Sequence, residues 1–128
     1  MNEVYCKIEM KGLNPYFGFI HRDAEKHPTL ASDLMEEWRA VIVDATVMSM
    51  INGHEISKDQ FYFDMDEPGC YITIYLNKLE RKFQTEIRYL KYTDYAVSFR
   101  RAILLQMERL TKAIEEGDAD LYEPVIIR

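Results

Sequence analysis

Cysteine is scarce in this 128-residue chain: Cys6 and Cys70 are the whole supply, and neither sits in a C-x-x-C pair. That spacing excludes a disulfide framework and leaves either free thiols of a reducing cytoplasm or two small buried hydrophobes. Glycine and proline are few, at five and four, and no repeat or low-complexity tract is present. No apolar run reaches the roughly 20 residues that cross a bilayer; Asp44 breaks the stretch after Ala40. Met1-Asn2-Glu3-Val4 lacks the basic and apolar regions of a secretion signal, so a cytoplasmic protein without a membrane partner is expected. The signatures G-x-x-x-x-G-K-(S/T), G-x-G-x-x-G and G-x-S-x-G are missing, which leaves nucleotide binding and serine hydrolysis without support.

Core-forming residues are plentiful. Hydrophobic residues make up 48% of the chain and nine tyrosines add large apolar surface, enough for one domain with a real core. Net charge is −6, against nonspecific nucleic-acid binding by the whole surface. Its distribution is uneven, however: −7 over residues 1–77, +5 over 78–112 and −4 over 113–128. A basic middle between acidic ends can make a local phosphate-binding face.

Residues Asn2 to Lys11 read as the end of a helix, with Gly12 at the left-handed position beyond it and Pro15 as a stop. Gly12 to Pro28 reads as a loop, and Thr29 as the N-cap of a long helix. Leu30, Leu34, Trp38, Val41 or Ile42, Ala45, Met48 and Ile51 carry that helix to Gly53, as one piece or as two joined near Arg39. Ser57 and Gln60 have capping-box spacing. Two β-leaning runs, 61–65 and 70–75, flank the turn Asp66-Glu67-Pro68-Gly69 and predict a hairpin. Leu76, Leu79, Phe83, Ile87 and Leu90 predict one further helix; Ala96, Phe99, Ile103, Met107 or Leu110, and Ile114 predict another, closed by Gly117. The expected fold is mainly α, a helical domain with one small β-hairpin.

His21 precedes the long helix, and Asp33 and Glu36 lie three apart on its first turns. Carboxylates at i and i+3 share a helix face; with a loop histidine they suit Mg²⁺ or, given the imidazole, Mn²⁺. Such a cation serves phosphodiester chemistry. The same acids are also what a helix N-terminus favours through its dipole, and His21, like His27 and His54, is equally a hydrogen-bonded loop histidine. Arg81, Arg88, Lys91, Arg100 and Arg101 are candidates for phosphate contact or solvated helix faces; Arg22 is placed to meet DNA or to screen Asp23.

The segment Gly12-Leu13-Asn14-Pro15-Tyr16-Phe17-Gly18-Phe19-Ile20-His21 resembles the loop G-L-(D/N)-P-x-x-G-F-(L/I/V)-H of the CRISPR-associated integrase family Cas-one. Thr29 to Arg39, TLASDLMEEWR, resembles that family's S-L-A-x-D-L-M-E-E-F-R. Val43-Asp44, Ile51-Asn52-Gly53, and the stretch from Phe99-Arg100-Arg101 through Gln106 and Arg109-Leu110 to Tyr122-Glu123-Pro124 extend the likeness over nearly the whole chain. The resemblance implies a C-terminal helical catalytic domain binding Mg²⁺ or Mn²⁺ through an upstream Glu, the motif His and a second acid. His21 matches that His, Glu36 the second acid, and Asp33 a neighbouring acid that assists. It also implies an N-terminal β-rich domain that forms a homodimer, DNA as substrate, and a companion subunit, Cas-two. The implied reaction is joining of spacer DNA to a repeat by transesterification, with cleavage of branched DNA by the reverse logic.

Three departures accompany the match. The upstream Glu would precede Met1, Ala40 stands where many relatives have Pro, and residues 61–75 fit only loosely. Residues 1–128 are therefore read as a fragment, the C-terminal helical catalytic domain without the β-rich domain, with little expected turnover alone. Two rival readings are a non-catalytic helical interaction module of a DNA-binding complex, and a small stand-alone metal-binding regulator.

Overall fold

The computed structural model describes residues 1–22, 26–63, 70–88, 91 and 93–127. Among the described residues five α-helices carry the fold: α1 (Asn2–Met10), α2 (Thr29–Trp38), α3 (Ala45–Asn52), α4 (Thr73–Gln84) and α5 (Phe99–Glu116). Two antiparallel ladders are interleaved with them: β1 (Phe61–Phe63) with β2 (Cys70–Ile72), and β3 (Glu86–Ile87) with β4 (Val97–Ser98). The mainly α expectation holds, and the second ladder is an addition to it. Among the described residues no helix is long and apolar enough to cross a membrane.

Apolar spacing decides what packs on what. In α1, Val4 and Ile8 are one turn apart and buried, while Cys6 between them is exposed. The side chain of Cys70 lies outside the described part. Leu30, Ala31, Leu34 and Trp38 bury nearly the whole of α2. Against them lies the long α5, with Phe99, Ala102, Ile103, Met107 and Leu110 turned inward. The Trp38 and Phe99 rings meet edge to face at 6.3 Å, a preferred aromatic geometry. Gly12 and Gly117 follow α1 and α5 at φ +72° and +65°, where a side chain would be strained. Ile114, assigned to the α5 stripe by spacing, is exposed; Ala113 beside it is the buried residue of that turn.

Several boundaries differ from the sequence expectation. The run from residue 29 to 52 is helical throughout, but Arg39–Asp44 is a π-helical segment between α2 and α3. Ala45 N–H reaches Ala40 C=O, five residues back, a widening that falls on the β-branched run Val41-Ile42-Val43. Thr29 is the first helical residue, with Pro28 at the N-cap. The second hairpin strand ends at Ile72, since α4 begins at Thr73. The turn at 66–69 lies outside the described residues.

The helix expected to continue through Ile87 to Leu90 stops at Gln84. Ile87 pairs instead with Val97, and both are buried. Phe99 N–H also donates to Thr85 C=O at 3.0 Å. Leu90 lies outside the described residues. Ile87 thus meets the core from a strand, which satisfies the same apolar spacing through a different backbone.

Candidate metal centre and nucleic-acid face

The loop before α2 is held by side chains from the first two turns of that helix. Asn14 Oδ1 accepts from Tyr16 N–H at 3.0 Å, starting the bend around Pro15. Pro15 C=O accepts from Leu30 N–H at 3.0 Å. The buried Thr29 hydroxyl accepts from Gly18 N–H at 2.9 Å and donates to Tyr16 C=O at 2.7 Å. Gly18 must be glycine here: a Cβ would sit 2.7 Å from Asp33 Oδ2 and 2.9 Å from Thr29 Cβ.

Asp33 is the centre of this arrangement. Its Oδ2 accepts from Phe19 N–H at 2.6 Å and Ile20 N–H at 3.0 Å; its Oδ1 accepts from His21 N–H at 2.9 Å and from His21 Nδ1. Burial by itself raises the carboxyl pKa, but the Ile20 and Phe19 N–H bonds, then those of the His21 ring and backbone, outweigh it and hold Asp33 at about 2. Asp33 is therefore ionised, and Nδ1 of His21 carries the proton it donates. The His21 side chain is 43% exposed, and Nε2 is the ring nitrogen not engaged by Asp33.

Glu36 is separate from that network. Its side chain is 46% exposed and its Oε2 lies 3.5 Å from Arg39. Asp33 and Glu36 thus share a helix but not an environment: one faces the loop and is fully bonded, the other faces solvent. Among the described residues no group of three His, Cys, Asp or Glu side chains is gathered as a metal site. His27, read as a loop histidine, has Nε2 at 3.0 Å from Ser32 Oγ.

The basic candidates sort by partner. Arg100 bonds Glu3 at 2.9 Å and Glu80 at 2.8 Å and lies over the Phe83 ring at 5.3 Å. Its bonds to Glu80 and then Glu3 push its pKa still higher. Lys91 pairs with Glu123 at 3.2 Å. Arg22, Arg81, Arg88 and Arg101 are exposed, and of these Arg81 lines a cleft of about 580 Å³ between α3 and α4.

One cluster centres on Gln106 and Tyr122, residues that the resemblance touched but to which neither periodicity nor spacing gave a role. Gln106, fully buried, accepts from Trp38 Nε1 at 2.7 Å and donates to Leu34 C=O and the Tyr122 hydroxyl. Tyr122 in turn donates to Glu37, which also accepts from Val125 N–H at 2.7 Å. These partners are 16 to 88 residues apart, beyond any local pattern.

The model of the family described as CRISPR associated protein Cas1 matches residues 1–87. The CRISPR-associated endonuclease Cas1 of Mycobacterium tuberculosis is 36% identical over 115 residues, 86% of this chain and 34% of that protein. A CRISPR-associated exonuclease Cas4/endonuclease Cas1 fusion of Geobacter sulfurreducens is 33% identical, over 91% of this chain and 21% of its own length. The chain thus spans about a third or less of these relatives. Among solved structures, a casposase bound to integration product superposes with a TM-score of 0.77 at 22% identity, covering 95% of this chain and 36% of that one. A Cas6-RT-Cas1–Cas2 complex gives 0.73 at 21% identity, covering 96% and 14%. These two establish likeness of fold. With the family model spanning 87 of 128 residues and relatives above 30% identity over most of its length, the chain belongs to the CRISPR-associated Cas1 family.

Proposed function

We propose that this chain is the helical catalytic part of a metal-dependent DNA endonuclease and integrase of CRISPR adaptation. Membership of a family whose relatives are named endonucleases supports the class of activity. The observation that carries the site is the buried Asp33 carboxylate, which holds the ring of the part-exposed His21 through Nδ1 and leaves Nε2 outside that bond. A histidine held this way by a carboxylate is the usual arrangement of a metal-bound imidazole.

His21 and Glu36 would hold Mg²⁺ or Mn²⁺, and Asp33 acts behind His21 as its orienting acceptor. The ion stabilises charge on the phosphate and activates an oxygen nucleophile when bound. In the proposed reaction a DNA 3′-hydroxyl gives up its proton and bonds to a repeat phosphorus. The bond to the outgoing 3′ oxygen breaks, and that oxygen gains a proton. One phosphodiester replaces another, so no nucleotide is hydrolysed. Spacer DNA and the repeat, a second copy in a homodimer and the companion subunit Cas-two are the proposed partners, in the cytoplasm. Two ligands in this chain are one fewer than the resemblance implies, so we expect little turnover from the 128 residues alone.

Paramagnetic Mn²⁺ tests the site without relying on turnover. In the ¹⁵N-labelled chain, Mn²⁺ should broaden the His21 ring and Glu36 signals first, and His21→Ala should abolish that effect. Broadening confined to other surface carboxylates would sink the reading. A helical interaction module is the second reading, favoured by the exposed Phe17, Phe19 and Ile20 beside His21. Glu36→Ala in a longer protein containing this chain separates the two: loss of integration fits the enzyme, and partner binding kept without any effect on integration fits the module.

A further inference from the structure

We infer that the cleft between α3 and α4 is a phosphate-binding site for the DNA backbone, separate from the His21 loop. This inference rests on DNA being the substrate, as proposed above. The cleft measures about 580 Å³, and none of its lining residues belongs to the segment 12–36. Its size falls within the range of about 300–1,000 Å³ usual for ligand sites.

Its chemistry is that of an anion site. On α4, Asn77, Lys78, Arg81 and Lys82 line one wall; on α3, Ser49 lines the other. Residues 78, 81 and 82 stand at i, i+3 and i+4, so three cations share one helix face. One carboxylate, Glu55, opposes them in the lining, and it is engaged with Lys78 at 2.6 Å. Lys82 Nζ lies 4.8 Å from the centroid of the Phe99 ring. The Arg81 guanidinium has no ion-pair partner among the described residues, and Ser49 and Asn77 are exposed beside it.

A guanidinium, a hydroxyl and an amide are the donor types that meet phosphate oxygens in protein–DNA interfaces. The fork of Arg81 suits a phosphate's paired oxygens. Elsewhere in the basic middle of the chain Lys91, Arg100 and Arg109 are tied to carboxylates, while Arg88 and Arg101 are exposed but stand outside the cleft's lining. Positive charge therefore remains available at this cleft after internal pairing is counted.

The test is titration of the ¹⁵N-labelled chain with a short duplex oligonucleotide and with its single strand, at several salt concentrations. Amides of Ser49, Asn77 and Arg81 should shift. Arg81→Ala should weaken binding about tenfold and lower the salt slope by about 1, with unchanged circular dichroism. Arg81→Lys should keep the slope and recover part of the affinity. Shifts that avoid the cleft, no binding by the wild-type chain, or an equal loss in Lys112→Ala on α5 would each overturn the site. Equal binding of a polyglutamate peptide would overturn its assignment to DNA. Cleft shifts without Mn²⁺ at His21 leave this site standing and sink the proposed function; Mn²⁺ at His21 without cleft shifts does the reverse.

Discussion

The Asp33 carboxylate accepts three backbone N–H groups and one imidazole N–H, all from residues 19–21. Its pKa falls from 3.8 to about 2 on folding. A depressed carboxyl stabilises the fold above the unfolded value and loses that contribution as pH falls through the folded value. In the metal-free chain this is about 2 kcal/mol, full above about pH 4 and gone below about pH 2. Asp33→Asn turns an amide NH₂ toward buried donors, so it should cost about 2–3 kcal/mol near neutral pH. Denaturant unfolding of both proteins from pH 7 to pH 2 checks this: the gap between them should narrow as the pH drops. A constant gap would mean that the loop does not depend on the ionised form.

Gly18→Ala belongs to the same scale. Its Cβ would lie 2.7 Å from Asp33 Oδ2, so the loop must move or the hydrogen bonds must lengthen. A loss of about 1–3 kcal/mol is expected in urea unfolding, with altered His21 ring shifts. Sequence spacing pairs Asp33 with Glu36 as acids on one face; it does not reveal that Asp33 turns toward a loop 12 to 14 residues earlier.

At the scale of elements, the helices with clean apolar stripes were legible, and their ends were less so. The α4 stripe continues in sequence to Ile87, yet the helix stops at Gln84 because Glu86–Ile87 finds a ladder partner in Val97–Ser98. A helix and a strand both bury an apolar residue at that position, so periodicity does not separate them. The C-terminal tail shows the same dependence on distant partners. The Tyr122 hydroxyl sits between Gln106 on α5 and Glu37 on α2. Tyr122→Phe removes both bonds and leaves Gln106 with one fewer partner. Unfolding free energy should fall by about 1–3 kcal/mol, with faster amide exchange at Val125, whose N–H bonds Glu37. Unchanged exchange at Val125 would show that the tail is held by its apolar contacts alone.

For the whole molecule, the acidic total conceals a pairing pattern. Lys78, Lys91, Arg100 and Arg109 meet acids that lie outside the basic middle or, for Arg100, partly within it. Exposed apolar surface is also concentrated: Phe17, Phe19 and Ile20 are 66%, 60% and 72% exposed on a loop that Asp33 and Thr29 hold in place. Adjacent large apolar groups on a rigid loop favour association. The isolated chain should therefore self-associate with rising concentration in sedimentation experiments. Phe17→Ser with Phe19→Ser should reduce this and leave unfolding free energy within about 0.5 kcal/mol, as for exposed positions away from the core. Unaltered association in the double variant would move the contact elsewhere.

Local pattern in the chain is enough for the helical class, the core stripe of α2 and α5, the presence of two paired β-leaning runs after residue 60, though the second ends at Ile72 and not at Tyr75, and the loop that delivers His21. Each depends on local periodicity, or on residues that act where they stand in the chain. Packing in three dimensions sets the rest: that Asp33 orients His21, that Thr29 ties down the loop, that β3 ends the run of α4, and which cations among the described residues have no ion-pair partner. Those outcomes depend on hydrogen bonds and ion pairs between groups distant in sequence, and such pairings exist only after packing has brought their partners together.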